Sequence, residues 1–118
     1  MSDVTIIASA APCTFDEIRR RAAPVLRRAG VKRAIAFGSW ARGNADGFSD
    51  LDLAVVVDTD LPWHERALTL ARELDDALPV VVDLLVYTSV EFAENEADGF
   101  GVFEMLRREG VEMLRVRE

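Results

Sequence analysis

The chain has 118 residues, half of them hydrophobic and 30% charged, with a formal net charge of -7. That length suits a single domain with its own core, read over residues 1–118, and the acidic balance argues against stable nucleic-acid binding. The one cysteine, Cys13, excludes an internal disulfide framework and fits a reducing cytoplasm, while no apolar run approaches the ~20 residues of a membrane span.

In chain order, Thr14 is a candidate N-cap with Glu17 three residues on. Phe15, Ile18, Ala22, Val25, Leu26 and Ala29 then recur at helical spacing up to a stop at Gly30. Pro24 is expected to kink or interrupt this helix. "VKRAIAFGS" reads as a strand ending in a turn at Gly38, and "LDLAVVVD" as a second strand, with "GNADGF" supplying the loop between them. From Pro62 to Leu78, an apolar stripe through Trp63, Ala67, Leu70, Ala71, Leu74 and Leu78 predicts a helix behind a cap at Asp60. "VVVDLLVY" is a third strand. "VEFAENEA" and "GVFEMLRREG" follow as two short helices separated by Gly99 and Gly101, with "VEMLRV" as a last edge strand.

The acids carry the chemistry. Alternation along a strand points Asp50 and Asp52 to one face and Leu51 and Leu53 to the other, so two carboxylates project side by side. Their mutual repulsion is relieved by a divalent cation, and an oxygen-only donor set suits Mg²⁺. Asp83 lies inside another apolar strand, where a lone ionised carboxylate is costly. If that strand lies beside the second, Asp83 joins the pair around one or two Mg²⁺ ions, an arrangement that serves phosphoryl and nucleotidyl transfer.

The turn "GSWARG" supplies anion-binding groups. Gly38 permits close backbone approach, Ser39 offers a hydroxyl and an amide, Arg42 offers a guanidinium for a phosphate, and Gly43 leaves space beside it. Trp40, beside this turn, is a better candidate than Trp63 for stacking on an adenine. The single histidine, His64, has no assigned role, Tyr87 reads as a structural aromatic, and Phe100 and Phe103 are open between the core and a partner interface.

Gly38-Ser39, ten residues and then Asp50-Leu51-Asp52, with "GSWARG" and "SDLDL" around them, resemble the Gly-Ser, ten-residue gap, Asp-x-Asp motif of the DNA polymerase beta-like nucleotidyltransferase superfamily. The small size resembles its minimal nucleotidyltransferase (MNT) branch. The resemblance implies an α/β (α+β) fold, a mixed sheet flanked by helices. It also implies Asp50, Asp52 and Asp83 as metal-holding and catalytic residues, with Gly38, Ser39, Arg42 and Gly43 binding nucleotide. Many stand-alone members are antitoxins that transfer AMP from ATP to a tyrosine of a HEPN-domain ribonuclease toxin and associate with it. The same is expected here, in a hetero-oligomer. A small hydroxyl compound such as an aminoglycoside as acceptor, or a non-catalytic partner-binding subunit, are the alternatives.

Overall fold

The computed structural model describes residues 13–46 and 49–117; the Gly47 and Phe48 part of the predicted loop lies outside them. Helix α1 spans Phe15–Arg28, and Thr14 Oγ1 accepts from the Glu17 amide at 3.1 Å, as the cap reading expects. Pro24 does not interrupt it. Pro24 and Arg20 both lie on the exposed face, where water can replace the helical donor that the Arg20 carbonyl loses. Gly30, at φ +80°, closes the helix with its amide on the Arg27 carbonyl.

Strand β1 (Arg33–Phe37) leads into a single helical turn, α2 (Ser39–Arg42), and then β2 (Leu51–Val56), α3 (Trp63–Ala77) and β3 (Val82–Tyr87). Helices α4 (Ser89–Asp98) and α5 (Val102–Glu109) precede β4 (Val111–Arg115). The sheet order is β3-β2-β1-β4, so β4 is indeed an edge strand. β1 runs antiparallel to both β2 and β4, whereas β2 and β3 are parallel, with α3 as the crossover that a parallel pair requires. The sheet is therefore mixed and flanked by helices. One expectation fails at α3: its N-cap position is Pro62, not Asp60. The Thr59 hydroxyl instead takes the Leu61 amide at 3.1 Å, which sets the entry turn before Asp60 could cap it.

Alternation divides the sheet into two faces. Ala34, Ala36, Leu51, Leu53, Val55 and Val82 pack with Ile18, Ala22 and Leu26 of α1 and Leu70 and Leu74 of α3. Each fully buried large aliphatic residue here stabilises the fold by about 1.5–3 kcal/mol. On the other face, Ile35, Phe37, Ala54, Val56 and Tyr87 meet Phe92 of α4 and Phe103 and Leu106 of α5. This resolves the two late aromatics: Phe103 is core and Phe100 is exposed. Trp63, expected in the packing, is half-exposed and lies edge-on to Tyr87 with ring centres 5.0 Å apart.

Candidate active site

Asp52 belongs to the second face, at the start of β2, and Asp83 is its partner in the parallel β2–β3 register. The adjacency that sequence left conditional is thus present. Asp83 is exposed and Asp52 partly buried, at the end of the sheet where these positions turn from apolar to acidic. Asp50 sits two residues before Asp52 and is also exposed. Burial pushes the Asp52 carboxyl above its ordinary value, the neighbouring Asp83 and Asp50 charges and a hydrogen bond with Asp83 push the same way, and Arg42 opposes them. Three carboxylates and one guanidinium therefore share one electrostatic site.

Gly38 makes this crowding possible. Its φ is +76°, and a Cβ placed there would lie 2.3 Å from Asp52 Oδ2, so the turn passes directly against the carboxylate. Ser39 opens α2, whose first amides have no carbonyl partner within the helix. Gly43 closes the turn at φ +82°. A Cβ on Gly43 would touch nothing within 4 Å, so its glycine serves the left-handed cap more than clearance.

Trp40 departs from its expected role. It is buried, its ring is 6.4 Å from Phe15, and its Nε1–H donates to the Ser49 carbonyl at 3.0 Å. That bond ties α2 to the residue before Asp50, so Trp40 holds the acid loop in place and offers no face for a base. Sequence reasoning missed Glu109 altogether. Its Oε2 accepts from the Gly38 amide at 2.8 Å and from Arg42 Nη1 at 3.0 Å. Its partners lie 71 and 67 residues away, so no local motif announces it.

Among the described residues, no three carboxylate, imidazole or thiol side chains converge as a complete metal-binding set. Mg²⁺ does not require one. It keeps several waters and is ordinarily held by one or two carboxylates together with substrate phosphates. The raised Asp52 carboxyl and the glycine cradle against it fit such a half-site, closed by a ligand bearing phosphate oxygens.

The nucleotidyltransferase domain family matches residues 18–107, and the chain belongs to that family. It is 38% identical over 79 residues to "Putative protein adenylyltransferase MJ0435" of Methanocaldococcus jannaschii, covering 64% of this chain and 81% of that protein. Among solved structures, it superposes on a toxin-antitoxin crystallised with AMP-PNP at a TM-score of 0.60 and 21% identity, covering 84% of this chain and 74% of that one. The toxin-antitoxin MntA-HepT is similar at a TM-score of 0.53 and 18% identity, covering 84% and 71%. Nucleotidyl transfer is thus the reaction class, and a nucleotide the substrate.

Proposed function

We propose that the chain is a Mg²⁺-dependent adenylyltransferase that acts as an antitoxin, moving AMP from ATP to a tyrosine hydroxyl of a HEPN-domain ribonuclease and so silencing it. The observation that carries this is the placement of Asp50, Asp52 and Asp83 at one open end of a sheet face, against the Gly38-Ser39 turn. The names of the relatives, a protein adenylyltransferase and toxin-antitoxin pairs, support the choice of AMP and of a protein acceptor. Residues 1–118 would act as one domain, in the cytoplasm where ATP and a ribonuclease target meet, in a complex with the toxin.

Asp50 and Asp52, with Asp83 beside Asp52, would hold two Mg²⁺ ions together with the phosphate oxygens of the nucleotide. Bound there, such ions would supply Lewis-acid stabilisation of charge on the attacking and leaving oxygens. Ser39 and Arg42 hold the triphosphate by hydroxyl, amide and guanidinium, with Gly38 and Gly43 shaping the turn. The acceptor oxygen attacks the α-phosphorus, the bond to the bridging oxygen breaks, and pyrophosphate leaves. Asp83, exposed on edge strand β3, would orient the acceptor hydroxyl and take its proton.

The test is intact-mass spectrometry of the HEPN protein incubated with this chain, Mg²⁺ and ATP. We expect an adenylyl gain on a tyrosine, absent with the Asp50→Ala/Asp52→Ala double variant while complex formation persists. Full neutralisation by that variant would make the protein a contact-only antitoxin. Transfer to an aminoglycoside with none to protein would move the acceptor to small molecules.

A further inference from the structure

Glu109 touches both halves of the nucleotide-binding turn without belonging to it. β4 pairs with β1 only as far as Ala36↔Val111, so the Gly38 amide lies beyond the end of that ladder and has no strand carbonyl to meet. Glu109, two residues before β4 begins, fills the gap with a side-chain carboxylate at 2.8 Å. The same oxygen takes Arg42 Nη1 at 3.0 Å, and the Glu109 side chain is only 14% exposed against 46% for Arg42. A largely buried carboxylate holding a charge and a backbone amide makes strong, geometrically defined hydrogen bonds. It is fixed at the end of α5, whose Phe103 and Leu106 are anchored in the second core.

The geometry points to Glu109 as a positioning residue for nucleotide binding: it pins the Gly38-Ser39 turn against Asp52 and aims Arg42 at the phosphates. An arginine has five donors, so the one given to Glu109 leaves the rest of the guanidinium for a ligand. Without that anchor, Arg42 is free to fold onto Asp50, Asp52 and Asp83, and would then neutralise the acids instead of meeting phosphate; its charge already acts on Asp52. This inference rests on the proposed role of Arg42 in holding triphosphate, and it is independent of the acceptor's identity.

The experiment is calorimetric binding of AMP-PNP with Mg²⁺ to the full chain, wild type and Glu109→Gln, each also in an Arg42→Ala background, with thermal melts as a fold check. Glutamine keeps an acceptor for the Gly38 amide but loses the charge that holds Arg42. Glu109→Gln is expected to weaken nucleotide about tenfold, from the loss of a charge-assisted bond. In the Arg42→Ala background the same change should cost less than about twofold, because the group it positions is already gone. Equal losses in both backgrounds, or affinity unchanged by Glu109→Gln, would overturn the positioning role while leaving the nucleotide site in place. Failure of the wild type itself to bind would overturn both. If Glu109→Gln melts too low to assay, Glu109→Asp, which keeps the charge on a shorter arm, replaces it with the same two-background comparison.

Discussion

Gly38→Ala separates the chemistry of the site from its stability. The new Cβ would stand 2.3 Å from Asp52 Oδ2 and 3.3 Å from its Cγ, whereas real Cβ contacts do not fall under 3.0 Å. The carboxylate must therefore retreat by at least ~0.7 Å, and Asp52 is too short a side chain to do so without turning its oxygens. A misplacement of about 1 Å at a reacting centre costs about a hundredfold in rate. The backbone adds its own cost, because φ +76° with ψ -154° is a region used essentially by glycine alone, worth about 1–3 kcal/mol. For a domain of this size that lowers the melting temperature by about 4–12 °C. Single-turnover AMP transfer and a melt, run beside Gly99→Ala, tell the two apart. Gly99 is an ordinary left-handed helix cap at φ +71°, and a Cβ there would stand 3.5 Å from its nearest neighbour, so that variant should lose about 1 kcal/mol and no turnover. Turnover of Gly38→Ala within about threefold of wild type, despite a lowered melt, would contradict the account of Asp52 as position-critical.

Asp52→Asn should raise the melting temperature of the metal-free protein at pH 7. A carboxyl whose folded pKa is raised costs stability as pH climbs through that pKa, so the gap should close below the ordinary carboxylate range; a lower melt for the variant at pH 7 would reverse the sign. Asp58 behaves oppositely: bonds from Lys32 and from the Ser89 amide and hydroxyl hold its carboxyl down at about 2. Its contribution is present above its unfolded pKa of about 3.9 and is lost as pH falls toward 2. Asp58 is half-exposed, so Asp58→Ala should cost only about 1 kcal/mol at pH 7, chiefly as a lost acceptor at the start of α4, and almost nothing near pH 2 by urea melts. Mn²⁺ titrated alone should bind weakly and bind far more tightly once AMP-PNP is present; equal affinity in both titrations would mean that the protein carries a complete cage.

Most of the fold was legible because its signals are local. The alternation in "LDLAVVVD" and "VVVDLLVY" and the glycines that end helices at Gly30 and Gly99 determine period and punctuation within a few residues. The spacing of Gly38, Ser39, Asp50 and Asp52 was legible for the same reason. What local pattern could not supply was the parallel pairing that sets Asp83 opposite Asp52, since α3 intervenes. Pro24 misled because the cost of a missing donor depends on which way the freed carbonyl points, and that is a property of the packed helix. Trp40 misled because a large ring beside a turn reads the same whether it faces a ligand or Phe15. Glu109 was invisible because a brace between distant segments leaves no periodicity.

The acids occupy a stretch of the sheet where the demands of core and site differ between faces. Along β2, Leu51 and Leu53 are fully buried on the face under α1 and α3, while Asp52 between them points to the open side. Along β3, buried Val82 and partly buried Leu84 flank Asp83 on that same face. The backbone carrying Asp52 and Asp83 is thus packed from behind by apolar side chains. Repulsion of Asp52 by Asp83 and Asp50 is built into the folded chain, and Arg42 opposes it. On the proposed function, the same packing that makes Asp52 a burden to folding would make it a preorganised ligand for metal and triphosphate.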